Sequence, residues 1–349
     1  MSHNILVTGA SGYLGGTLLA RWKSANLPPY GKLYALVRSD QQAEAVKQYG
    51  AEPLEFDLND KEELRNGIVG NEISIIFWLI DSFSDKHQPP LIEALAEVKA
   101  KTGREVHFIH TGGAKHFSSH ANLPTDKPLL DTDPKLYEIL KTSTSPLEYF
   151  AQTIKTNVSI IDTSEKYGVR GYIFAPCIVY GQSEGFGNQI SIQTVAIVKA
   201  AKKARRVYKV DPGNPTWPVC HIVDNTTLYV EMLRNMLLNI DIGYNKNGFY
   251  LAASGSVAWE DIYKSMATAL AKRNLVDDDI VSQADNAVLE KMAEGLGAPS
   301  NLVNVMLGGK CTYTAVHGTQ IGWKPQYPPE HILETADEEV ELILKHINE

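Results

Sequence analysis

The chain is 349 residues long, enough for one large domain or for two lobes sharing a cleft, and two lobes are expected. Its 33 basic and 41 acidic residues leave a formal charge of −8, and beyond "KKARR" at 202–206 no basic block stands out, so a nucleic-acid footprint is not expected. Three unpatterned cysteines argue against a disulfide framework, and the longest strongly apolar run, "ISIIFWLI" at 73–80, is too short to span a bilayer.

Short β-rich runs alternate with amphipathic stretches through about residue 115, the pattern of βαβ units laid into a parallel sheet. Strands are predicted at 4–8, 32–38, 52–56, 73–79 and 105–110, and helices at 41–49, 60–67 and 90–101. Leu14, Leu18 and Trp22 recur every four residues and predict a further helix after the first strand. A long loop is expected within 112–146, where Pro124, Pro128, Pro134 and Pro146 punctuate a polar segment with room for one helical turn. A helix at 147–167 and the strand "VRGYIFAP" then resume the alternation. After a helix at 189–204 the composition becomes turn-rich, which places a smaller lobe there. The fold class is therefore α/β: a Rossmann-type, doubly wound parallel sheet over 1–180, and a mixed α+β substrate lobe over 181–349.

Gly9, Gly12 and Gly15 follow the first strand and open the first helix. In that setting glycines permit a tight turn and close approach of the main chain to a diphosphate, while the helix offers unpaired N–H groups and a positive dipole end. "TGASGYLGG" resembles the nucleotide-binding signature of the short-chain dehydrogenase/reductase superfamily, in its extended or atypical, NmrA-like and epimerase-like branch with uncharacterised fungal members. "ALVRS", "EFDLND", "FIHTGGA", "FAPCIVYG" and "VCHIVDN" follow in the order that resemblance implies. It implies a dinucleotide held by Gly9, Ser11, Gly12, Tyr13, Leu14 and Gly15, with Asp57 and Leu58 beside the adenine and Pro176 to Ile178 against the nicotinamide amide. Gly185 and Phe186 would then shape the substrate pocket, and Tyr180 and Trp217 are read either as aromatic walls for an apolar substrate or as packing of the smaller lobe.

Arg38 ends the second strand, where a guanidinium can pair with a ribose 2′-phosphate; NADP(H) is favoured over NAD(H), the other reading being a solvated surface arginine. Asp57 has the alternative of capping the helix that begins near Asn59.

The family's chemistry uses a tyrosine acid and a lysine one helical turn later. Tyr137 and Lys141 have that spacing, though in the proline-rich segment; Tyr149 is better placed, but its next lysine, Lys155, is six residues on. By the resemblance Gly113 stands at the usual serine's position and Thr111 falls two residues early, nearer the phosphates or ribose, where it is a cofactor-binding as well as a catalytic candidate; Asp81 at the fourth strand's end is a candidate base or cap. The catalytic candidates are thus Tyr137, Lys141, Thr111 and Asp81. The histidines of "HFIHTGGAKHFSSH" enforce no ligand pair, because His107 and His110 point to opposite faces of a strand, and no metal is expected. Asp224 is read as a helix cap with His221 packed beneath it.

The expectation is a cytoplasmic NADP(H)-dependent oxidoreductase, a monomer or homodimer with a small-molecule substrate and no nucleic-acid or membrane partner. An NADP(H)-bound isomerase, cyclase or redox sensor is the alternative.

Overall fold

Runs rich in Ile, Leu, Val and Phe, bounded by Gly, Pro or Asp, become the strands of the computed structural model, which describes residues 2–347. In chain order they are β1 (Asn4–Val7), β2 (Leu33–Leu36), β3 (Glu52–Leu54), β4 (Ile73–Trp78), β5 (His107–Thr111), β6 (Arg170–Pro176), β7 (Ile178–Tyr180), β8 (Thr216–His221), β9 (Phe249–Ala252) and β10 (Gly255–Ala258). The longer helices are α1 (Tyr13–Trp22), α2 (Asp40–Lys47), α3 (Lys61–Gly70), α4 (Gln88–Thr102), α5 (Leu136–Thr142), α6 (Glu148–Tyr167), α7 (Gln193–Ala204), α8 (Ile222–Leu237), α9 (Trp259–Ala271), α10 (Asn286–Leu296) and α11 (Ala336–His346). None of the helices among the described residues is long and apolar enough to cross a membrane.

Seven strands form one parallel sheet in the order β9-β6-β5-β4-β1-β2-β3. The order reverses at β1, so a crevice opens at the carboxyl edge between β1 and β4. Side-chain alternation divides the core into two layers: Ile76 and Trp78 of β4 pack with Leu64, Leu95 and Ile161 of α3, α4 and α6, whereas Ile75 and Phe77 face Leu18, Trp22, Tyr229 and Leu233 of α1 and α8. Ser39 and Asp60 cap α2 and α3 by accepting from backbone N–H groups, and Gly168, at φ 66°, ends α6 and releases the chain into β6.

The boundary expected at residue 180 is not a clean one. β9 returns as the outer strand beside β6, pairing Phe249 with Ile173 and Leu251 with Ala175, and α8 covers α1. Without β9 the apolar strand β6 would be an exposed edge, and the pairing removes it. The expected loop is also largely folded: it contains α5 and a short strand, Leu129–Leu130, that pairs with Tyr313–Thr314. Asp131 fixes that crossing, its buried carboxylate accepting from the backbone N–H groups of Leu251, Val316 and His317.

Candidate functional site: a dinucleotide groove and an apolar cavity

At the crevice the chain leaves β1 through Gly9, whose φ of 67° suits glycine. A Cβ on Gly9 would lie 2.7 Å from the Leu79 carbonyl oxygen, and one on Gly15 2.3 Å from that of Gly9, so the loop closes only with glycines at these places. Gly12 starts α1 without a side-chain cap, leaving first-turn N–H groups free for an anion. These features fit a diphosphate.

Two hollows share Gly9, Gly12, Leu79 and Ile80, and so form one groove across the sheet edge. The first, of about 710 Å³, contains Ser11, Leu36, Arg38, Gln42, Asp57 and Leu58. Gln42 shapes it, accepting from the Arg38 N–H at 3.0 Å and donating to Ser11 Oγ at 3.3 Å. Among the described residues no group bonds the Arg38 guanidinium. Asp57 does not cap α3; Asp60 does, while Asp57 Oδ1 accepts from Asn59 N and Nδ2, bonds that pull its carboxyl below the usual range.

The second hollow, of about 500 Å³, is walled by Tyr13, Leu14, Gly15, Asp81, Phe83, Thr111, Lys115, His116, Tyr149, Phe150, Pro176, Cys177 and Trp217, among others. Thr111 Oγ1 is 2.7 Å from the hydroxyl of the buried Tyr229. Asp81 Oδ1 accepts from Phe83 N at 2.8 Å, turning the chain after β4. Tyr149 meets Phe83 edge-on with ring centres 4.5 Å apart, and burial together with the Asp81 charge pushes its hydroxyl up to about 12. Ile80, Phe83, Tyr149 and Ile192 form an apolar rim; Ile192 is 79 % exposed. Lys115 also lines this hollow, and burial lowers its ammonium from 10.5 to about 8.

The expected tyrosine–lysine pair is formed but does not join this site. Lys141 Nζ is 2.7 Å from Tyr137 Oη, which in turn donates to Asp162 of α6. At 1.5 Å per residue Asp162 lies about 20 Å along α6 from Tyr149. Lys246 sits 5.1 Å from the Tyr137 ring, and neighbouring Asn245 accepts from Gly171 N at the start of β6. The pair therefore occupies the sheet's amino edge, opposite the groove, because α5 packs on the far half of α6. Burial and Asp162 raise the Tyr137 hydroxyl against the smaller opposing effect of Lys141.

Other expectations change as well. Ile178 is buried outside both hollows, and Cys177 and Val179 line the cavity beside Pro176. Trp217 is a wall, but Tyr180 is buried against His331, 3.1 Å from its Nδ1. Gly185 packs on Gly16 and Phe186 stacks on Tyr49, so Asn188, Ser191 and Gln193 form that side of the cavity instead. Asp224 holds the backbone N–H groups of Gln326 and Tyr327, leaving His221 to cap α8. His107 bonds Tyr172 at 3.0 Å, and no group of three His, Cys, Asp or Glu side chains among the described residues could hold a metal. Sequence reasoning weighed His116 only as a metal ligand and missed Lys115 as a residue of the cavity wall; the glycine pair just after β5 was the available signal, since it leaves room at the sheet edge.

The strand order, glycine turn and groove define a Rossmann fold of the extended short-chain dehydrogenase/reductase type. Residues 5–243 match the NAD dependent epimerase/dehydratase family, and the chain belongs to it. It is 21 % identical over 352 aligned residues to oxidase ucsJ of an Acremonium species, covering 94 % of each chain. UDP-glucose 4-epimerase of Thermotoga maritima, solved with UDP-glucose, superposes with a TM-score of 0.61 at 16 % identity, covering 98 % of this chain and 99 % of that one. dTDP-glucose 4,6-dehydratase of Bacillus anthracis, solved in complex with NAD, gives a TM-score of 0.63 at 12 % identity, covering 99 % and 97 % respectively.

Proposed function

We propose that the chain is an NADP(H)-dependent oxidoreductase acting on a carbonyl, alcohol or enone of a small, largely apolar metabolite. One observation carries this reading: the glycine cradle lies between a hollow lined by the Arg38 guanidinium and an apolar cavity lined by Lys115, neither of which has a partner among the described residues. Bound there, the nicotinamide would supply or accept a hydride. Gly9, Gly12 and Gly15 would hold the diphosphate, Arg38 the 2′-phosphate, and Leu58 the adenine face. Thr111, oriented by Tyr229, would bond the ribose or the substrate oxygen. The rim of Ile80, Phe83, Tyr149 and Ile192 would exclude water from an apolar substrate and favour it over a sugar.

The test is coenzyme absorbance during incubation of the wild-type protein with NADPH or NADH and a panel of aryl ketones and enones. The reading expects substrate-dependent consumption, faster with NADPH. Binding of coenzyme without consumption, while a substrate rearranges, would establish instead the isomerase or cyclase reading. That alternative is favoured by the displacement of Tyr137 and Lys141 from the cavity.

A further inference from the structure

Among the described residues lining the cavity, Lys115 is the single lysine or arginine. No carboxylate among them pairs with it. Its turn is held from several sides. The Lys115 carbonyl accepts from Ser118 Oγ at 2.8 Å, and the Ala114 carbonyl lies 3.6 Å from the Cys311 thiol. His116 Nδ1 is 3.3 Å from Asn157 Nδ2 of α6. Gly112 permits that packing, as its hydrogen faces His116 Nδ1 where a Cβ would lie at 3.3 Å. A long, flexible side chain thus starts from a fixed base on the cavity wall, and no counter-ion among the described residues pairs with it.

We propose that Lys115 is the catalytic proton donor and acceptor of the cavity, standing where the displaced tyrosine–lysine pair would otherwise act. The assignment rests on the oxidoreductase reading. In the reducing direction a substrate carbonyl carbon gains a C–H bond from the hydride of reduced NADP. The π electrons move to oxygen, which forms an O–H bond as an N–H bond of the Lys115 ammonium breaks. The products are the alcohol, oxidised coenzyme and a neutral amine, which regains its proton from water. Desolvation supports the role, since an amine lowered to about 8 remains charged at neutral pH yet releases its proton readily. Other titratable groups around it are Asp81, Tyr149 on α6, Cys177 after β6, and His116 and His120 of its own loop, both histidines feeling the Lys115 charge.

Two measurements test it. Competitive acetylation of the coenzyme-free protein across pH 6–11, read by mass spectrometry of the Lys115 peptide, is expected to give a midpoint about two units below exposed lysines. Lys115→Met is expected to bind NADPH as the wild type does by fluorescence titration, yet to lose turnover by about 100-fold or more. Lys115→Arg, charged but unable to release a proton, is expected to lose it equally, and Tyr137→Phe to retain it. A midpoint matching exposed lysines overturns the assignment whatever the turnover shows. So does a Lys115→Met protein as active as the wild type. If the wild type consumes neither coenzyme, both proposals fall, and a low midpoint then identifies the oxidoreductase reading as the faulty step.

Discussion

At the scale of single residues, selection between coenzymes rests on Arg38. Its backbone N–H is fixed by Gln42, so the strand end cannot swing away, while its guanidinium has no partner among the described residues. A phosphate there would gain charge-assisted bonds worth about 1.5–3 kcal/mol, or roughly 10- to 100-fold in affinity. Arg38→Ala is therefore expected to weaken NADPH binding by about that factor and to leave NADH binding nearly unchanged, as measured by calorimetry. Equal weakening of both coenzymes would mean that Arg38 supports the fold of the groove and does not read the 2′-phosphate.

At the scale of elements, the segment after β7 behaves as a strap over the coenzyme loop. Tyr13 Oη donates to the Gly181 carbonyl at 2.6 Å, Asn188 N donates to the Ser11 carbonyl at 2.9 Å, and Arg21 pairs with Glu184 at 2.6 Å. The approach is close enough that a Cβ on Gly187 would fall 2.1 Å from the Ser11 carbonyl oxygen. Gly187→Ala should lift the strap, costing about 1–3 kcal/mol of stability and weakening coenzyme binding through Ser11. Gly70→Ala, whose Cβ would meet nothing within 4 Å, should cost nothing, and paired denaturation and coenzyme titrations would separate the two. Elements of this kind mark where sequence reading succeeds and stops. The glycine turn was legible because spacing, strand and helix are all local, as were the alternating faces of β4. The strand β9 was not, since "FYLA" carries no sign of which edge it will complete. Tyr137 and Lys141 do share a helical face, as their spacing requires; which end of the sheet that face meets is set by the packing of α5 on α6. Lys115 reads locally as an ordinary surface charge, and becomes otherwise only when α6, β6 and β8 close around it.

At the scale of the whole molecule, stability should depend on pH through histidines buried in β5 and in the turn that follows it. His110 and His116 are 0 % and 4 % exposed, and burial lowers them from 6.5 to about 3 and about 4, while His107 is lowered by burial and neighbouring positive charges. The unfolded chain takes up these protons near 6.5 and the folded chain does not. Their contribution is therefore complete above that pH and is lost as pH falls from 6.5 toward the folded values. At pH 5 His110 and His116 each cost about 2 kcal/mol, so the two together remove about 4 kcal/mol, and His107 acts in the same sense. Burial raises the carboxyls of Asp131 and Glu339, which act in the opposite sense by favouring the folded state when protonated, but each also accepts N–H or O–H bonds that oppose the shift. The histidine effect should dominate, and the urea midpoint is expected to fall between pH 7 and pH 5. His110→Leu removes a ring neither of whose nitrogens has a partner, so it should keep full stability at pH 7 and flatten the slope by up to one proton, about 1.4 kcal/mol per pH unit. A midpoint that holds steady or rises on acidification would show that these rings reach water, or that the carboxyls govern the balance.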